Sequence, residues 1–118
     1  MKNSHKVAAL LSALLAIPMT GSVVGKLLQT EQMQEMFQSH GLGAWLLIIG
    51  VGELLSLLAF LAPRTRPLGS LLLSSYFGGA ILFHMSHAEP FLVPIAFLLT
   101  TWLITWLWGD WRANSIRQ

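Results

Sequence analysis

Of the five acidic side chains in this 118-residue chain, Glu53 has the most demanding position. It stands near the middle of residues 42–62, a run with no other charge. Three kinds of chemistry suit such a carboxyl. It can be hydrogen-bonded to Ser or Tyr and kept neutral by burial. It can form a salt bridge to Lys26, whose long stem reaches inward from the end of the first apolar run. Or it can handle protons or bind a ligand, the default reading of an ionisable group inside a membrane. The residues alone leave all three open.

Tyr76 and Ser75 are the next candidates. Tyr76, Ala80, His84 and His87 share one helical face, because eleven residues make almost three turns. On the segment carrying Glu53, Gly50, Ser56 and Leu57 fall on the same stripe, so that face is expected to turn inward. If the two stripes meet, a polar lane runs from an outer mouth holding His84, His87, His40 and Lys26 down to Glu53. The candidate ligand-binding or proton-handling residues are therefore Glu53, Tyr76, Lys26, His84, His87 and Ser75. His84, His87 and Glu89 have the residue types of a metal site without a metal-site pattern. They read as interfacial polar residues, and no metal is assigned. No glycine-rich phosphate loop, Ser–His–Asp set or nucleic-acid module is present. No catalytic residue is named, and the chain is not read as an enzyme on its own.

The elements that position these residues follow from composition. Hydrophobic residues make up 54% of the chain and charged residues 10%, well below the roughly 25% charged of a soluble domain. A net charge of +2 is too small to argue for nucleic acid. With no cysteine, disulfides, thiol chemistry and thiolate metal sites are excluded. The expected fold is all-α: one domain over 1–118, an integral membrane four-helix up-down bundle with spans at about 7–25, 42–62, 68–86 and 91–108, each near the roughly 20 residues a bilayer requires. Between the first two spans, Thr30 is placed to cap a short helix with Glu31 in its first turn. Met33, Met36 and Phe37 would form its apolar edge, lying along the membrane surface or packing as a loop over the bundle. Gly41 and Gly43 would end it.

Other features refine this arrangement. Lys2, Lys6 and the apolar stretch after them resemble a secretory signal. No A-x-A site follows, however, and apolar character continues to Leu28, so a retained span is expected. Pro18 predicts a kink that a neighbouring helix supports. The pairs Gly21/Gly25, Ser74/Gly78 and Ser75/Gly79 are small-xxx-small motifs, which predict close helix packing and make the third span the tightest. Pro63-Arg64-Thr65-Arg66-Pro67 makes a short basic turn, and Pro94 falls in the first turn of the fourth span. Thr100 should lie level with Glu53. Trp106, Trp108 and Trp111 at one face, and Trp45 at the other, suit interfacial belts. Four spans put Lys2, Lys6, Arg64, Arg66, Arg112 and Arg117 on one side and only Lys26 on the other. The positive-inside rule then places both termini in the cytoplasm.

In order along the chain come Gly25-Lys26, Gly52-Glu53-Leu54, Pro63-Arg64-Thr65-Arg66-Pro67-Leu68-Gly69, Tyr76-Phe77-Gly78-Gly79-Ala80 and His84. This ordered set, covering about residues 20–90, resembles the DoxX-like family of small four-span bacterial membrane proteins. The resemblance implies a four-helix membrane bundle in the bacterial cytoplasmic (inner) membrane. It also implies an accessory role in a quinone-linked redox system, since the family takes its name from a subunit associated with a quinol oxidase and with thiosulfate:quinone oxidoreduction. A quinone is then the candidate cofactor. The lipid bilayer, a membrane oxidoreductase and a second copy of the chain are the candidate partners. Without cysteine, any redox role needs a bound quinone, a metal or a partner subunit. The alternatives are a small transporter or lipid-like ligand binder using the lane at Glu53, and a structural membrane protein with no ligand.

Overall fold

Apolar segments that cannot hydrogen-bond to lipid satisfy their backbone internally as helices, and this chain does so almost throughout. The computed structural model describes residues 2–109. Five helices and no strand occur among them: α1 (Lys2–Leu27), α2 (Glu31–Ser39), α3 (Leu46–Leu61), α4 (Arg66–Met85) and α5 (Leu92–Trp108). A single 3-10 turn, Gly43–Trp45, leads into α3. Trp111, Arg112 and Arg117 lie outside the described residues.

Three helices, α1, α3 with its leading turn, and α4, are long and apolar enough to cross a membrane. The fourth apolar helix, α5, has 17 residues, at the short end of the roughly 17–25 that span. These four close a ring: α1 packs on α3 and α5, and α4 packs on the same two. Neighbours run antiparallel. Trp102 donates its indole N–H to Ser74 at 2.9 Å, and three residues further along α5 Thr105 donates to Ser70 at 2.9 Å. His5 at the start of α1 lies 5.1 Å from Trp108 at the end of α5. The core fills one half of the ring with Ala8, Leu15, Met19, Leu57, Phe60, Leu73, Phe77 and Ile104.

The expected close packing occurs elsewhere than the small-residue pairs. A methyl group added at Gly21, Gly78 or Gly79 would meet nothing within 4 Å, and at Gly25 it would only touch the flexible Met33 side chain at 3.4 Å. The third span is therefore not tightest at its Ser/Gly pairs: Ser74 meets α5 through the Trp102 side chain, but nothing lies against Gly78 or Gly79. The close approach is at Gly69, where a methyl would sit 2.2 Å from the Phe60 backbone nitrogen. There the turn after α3 folds α4 directly against α3, and the Thr65 hydroxyl fastens it by donating to the Ala59 carbonyl at 2.7 Å.

α2 forms as its sequence predicts, with the Met33 N–H donating to the Thr30 hydroxyl at 3.4 Å. Its end and those of α1 and α4 share one device. Residues Gln29, Gly41 and Ala88 take φ values of 52°, 73° and 55°, and the next amide in each case bonds back five residues, Thr30 to Gly25, Leu42 to Phe37 and Glu89 to His84. These Schellman turns satisfy helix-end carbonyls and all lie at the end of the bundle covered by α2. At the other end, Trp108 packs under the buried Arg66 guanidinium at 4.2 Å, so it is not simply a belt residue. Trp106 and Trp45 are exposed, as a belt requires.

Gly69→Ala is expected to destabilise the protein by about 3 kcal/mol or more, since the backbone it meets cannot move aside. Gly78→Ala should be neutral or stabilise by up to about 1 kcal/mol, through helix propensity alone. Thermal unfolding of both variants in detergent, followed by tryptophan fluorescence, checks the contrast.

Candidate functional site

The stripe predicted on α3 is buried: Gly50, Glu53, Ser56 and Leu57 all face the bundle interior, with Leu46 and Phe60 extending it. Opposite it on α1, one turn apart, stand Ser22 and Lys26. The Lys26 ammonium lies 2.8 Å from Glu53 Oε1, with only 6% and 2% of the two side chains exposed. Ser22 donates to the same carboxylate oxygen at 3.2 Å and accepts from Lys26. Tyr76 on α4 completes the group, with its hydroxyl directed to Glu53 and Ser22. The Lys26 ammonium is 5.8 Å from the Tyr76 ring and 6.0 Å from that of Phe37, at the outer limit of cation–π attraction.

Gly50 makes this arrangement possible. A methyl there would come within 2.8 Å of Lys26 Cβ, so the lysine stem passes down α3 through the space a side chain would occupy. Sequence reasoning placed Lys26 at an outer mouth, with the salt bridge as one of three readings. The structure turns it inward and buries it. Ser22 was missed, although its i, i+4 spacing from Lys26 was a readable signal. Thr100 plays no part, because its hydroxyl bonds to the Ala96 carbonyl at 2.7 Å.

Beside the ion pair is a cavity of about 500 Å³. Lys26, Glu53, Ser22 and Tyr76 form its polar floor, and its walls are largely apolar, including Met19, Ile49, Phe77 and Phe97. Met33, Met36 and Phe37 of α2 roof it, so α2 packs over the bundle as a helix. The lining also includes Pro18 of α1, Ser75 and Gly79 of α4 and Val93 of α5, which are exposed. Pro18, Ser75 and Gly79 lie well inside their apolar helices, so the cavity reaches the sides of the bundle at membrane depth.

At the expected outer mouth, side chains from the end of α2 meet the end of α4 and the loop that follows it. His40 stacks on Phe83 with ring centroids 3.7 Å apart and lies 4.1 Å from the His87 ring. Glu89 Oε1 is 3.0 Å from His40 Nε2 and 2.9 Å from His84 Nδ1. Of the predicted site residues, Glu53, Lys26 and Tyr76 come together, and Ser75 borders the cavity from an exposed position. His84 lines its rim, and His87 is left outside, exposed, beside Ser86. Among the described residues no group of three or more acidic or imidazole side chains is arranged to hold a metal ion.

A ring of apolar helices around a buried ion pair and a side-opening cavity defines a membrane protein built to enclose an internal polar site. The model of the DoxX-like family matches residues 10–105, and the chain belongs to that family. Comparison with curated proteins and with solved structures gives no match.

Two outcomes follow from these contacts. Lys26→Met should cost about 3–5 kcal/mol by leaving Glu53 buried and unpaired, whereas Lys26→Met combined with Glu53→Leu should recover most of that loss. Chemical denaturation of the single and double variants measures the difference. The Glu89 carboxyl is held below its ordinary value near 4.5, chiefly by the hydrogen bond from His84, against some opposing burial, and further by His40. Because the folded value is the lower one, the unfolded chain takes up the proton first as pH falls. The stabilisation is complete above about 4.5 and is lost as pH drops through the depressed folded value. Thermal unfolding temperature should fall in acid more steeply for the unaltered protein than for Glu89→Gln.

Proposed function

We propose that this protein binds a lipophilic small molecule with a hydrogen-bonding head group, of the quinone class, and serves as an accessory subunit of a membrane redox system. The observation that carries the reading is the cavity at Glu53. Its volume falls within the roughly 300–1,000 Å³ of small-molecule sites, which are typically apolar with a few convergent polar groups. A quinone carbonyl needs donors and its ring needs flat apolar walls. The Lys26 ammonium, which has a third N–H beyond those given to Glu53 and Ser22, and the Tyr76 hydroxyl, by turning from Glu53, supply the first. Phe77, Phe97 and Phe83 supply the second. Openings at membrane depth suit a ligand that arrives through lipid, with its tail left in hydrocarbon. The buried carboxylate and ammonium also offer a proton acceptor and a proton donor next to a redox-active ring. Membership of the DoxX-like family supports the redox association.

The same reading places the protein in the bacterial inner membrane with its N- and C-termini in the cytoplasm. With Lys26 turned inward, the end of the bundle covered by α2 presents Glu31, Glu35 and Glu89. The opposite end carries Lys6, Arg64 and Arg66, and this asymmetry favours a cytoplasmic location for that end. A membrane oxidoreductase is the proposed partner.

Protein purified in mild detergent and extracted with organic solvent is expected to yield quinone by mass spectrometry. A short-tailed ubiquinone analogue should raise its thermal stability. Tyr76→Phe should weaken that binding by about tenfold, the value of one good hydrogen bond, and should also lower the unliganded unfolding temperature, because Glu53 loses a partner. Absence of quinone from the extract, with no stabilisation by the analogue, would refute the reading.

A further inference from the structure

His40 faces two acceptors at once. Its Nδ1 is 2.7 Å from the Met36 carbonyl oxygen and its Nε2 is 3.0 Å from Glu89 Oε1. The nearby Ser39 hydroxyl, 3.2 Å from Nδ1, already donates its proton to the Met36 carbonyl at 2.7 Å. A neutral imidazole carries one N–H, so its other nitrogen would face an acceptor oxygen lone pair to lone pair at hydrogen-bond distance. Only the imidazolium donates to both oxygens. The ring is enclosed, with 1% of its side chain exposed, and is stacked on Phe83 with an interplanar angle of 7°. These contacts join the C-terminal end of α2, which roofs the cavity, to the end of α4 and the loop that follows it.

We propose that His40 is a pH-released latch: as an imidazolium it fastens α2 over the cavity by bridging the Met36 carbonyl to the Glu89 carboxylate. This concerns access to the cavity and holds whatever the ligand is. The titratable groups around His40 come from the end of α4 and the following loop: His84, His87 and Glu89. His84 donates to Glu89 from Nδ1 and needs only one proton to do so. His87 is exposed, with its Nδ1 2.9 Å from the Ser86 hydroxyl. On the α1 side, Lys26 is committed to Glu53, and on α2 itself Glu31 and Glu35 are exposed. Loss of the His40 proton as pH rises removes one of the two bonds, so the latch opens on the alkaline side. Protonation of Glu89 opens it in strong acid. Between these limits it is closed.

The absence of cysteine from the chain makes a direct test practical. Ala80→Cys places one thiol in the cavity wall, and Gln32→Cys places one on the exposed face of α2 as the reference for thiol reactivity. Full-length protein in lipid nanodiscs is labelled with a charged, membrane-impermeant maleimide at about pH 5.5 and about pH 8.5. The labelling rate of the Ala80→Cys variant relative to the reference should be about fivefold higher at the alkaline pH, the effect of losing one hydrogen bond of ordinary strength. In a His40→Gln background labelling should be fast at both pH values, whereas His87→Gln should preserve the difference. If His40→Gln does not fold, Glu89→Gln must abolish the pH dependence. Equal relative rates at the two pH values in the otherwise unaltered protein, or a difference that survives both His40→Gln and Glu89→Gln, overturns the proposal.

Discussion

The buried Lys26–Glu53 pair is the constraint that the rest of the fold answers. An isolated charge at the centre of a membrane helix costs about 2.5–3.5 kcal/mol even on the more lenient insertion scales. Two opposite charges 2.8 Å apart cancel most of that cost only where other polar groups complete their hydrogen bonds. The fold supplies Ser22 and Tyr76 for this, from two different helices. Lys26 lies at the end of α1, and its ammonium must descend to the level of Glu53 in the middle of α3. That descent fixes how α1 sits against α3, and it requires Gly50 at the crossing. One ion pair thus dictates the inward face of two helices and the identity of a glycine between them.

The pair also explains why one half of the ring is solid and the other hollow. Away from α2, large side chains such as Phe60, Met19, Leu73 and Ile104 fill the interior, and Gly69 lets the α3–α4 turn close backbone against backbone. Toward α2, the interior-facing positions are the polar cluster itself, small residues such as Ala80 and Gly79, and aromatic rings set back on the walls. Apolar side chains driven into that space would crowd the ammonium and carboxylate and displace their hydrogen-bond partners. A void forfeits dispersion contacts on every surface that lines it, and here that loss is tolerated beside a satisfied ion pair.

Hydropathy made the helices and their order legible, because in lipid the backbone leaves no alternative. The inward stripe Gly50–Glu53–Ser56–Leu57 was legible from helical period alone. Lys26 as a partner was legible from the reach of its side chain, but its burial was not. A cation next to an apolar run satisfies the snorkelling rule equally well pointing outward. The small-residue motifs misled for a related reason. They state that a helix can be approached closely, not that another helix lies on that side, and α4 turns its Ser75/Gly79 stripe to the cavity rim. Whether a glycine is needed depends on what faces it, which for Gly69 is set by a turn several residues away. His40 and Glu89, 49 residues apart, meet only because α2 folds back over the bundle, and no local pattern announces that pairing.

The two ends of the bundle are held by different physics, and this difference determines where it can move. The end remote from α2 is fixed by dense apolar packing and by the Gly69 contact, which cannot open without disrupting the core. The end under α2 is fixed by hydrogen bonds and by three helix-terminating turns, two of which place non-glycine residues, Gln29 and Ala88, in left-handed conformation. Such residues cost about 1–2 kcal/mol each relative to glycine, so the turn before α2 and the one at the end of α4 store strain that the local contacts offset, while Gly41 turns the chain after α2 without it. Local opening in proteins occurs where few apolar contacts are buried and polar contacts carry the load. In this molecule the cavity roof comes nearest to that condition, with Phe37 the one buried side chain of α2. The ion pair, by emptying the space beneath α2, leaves the roof held at its edge, by Phe37 against Phe83 and by the polar contacts of His40.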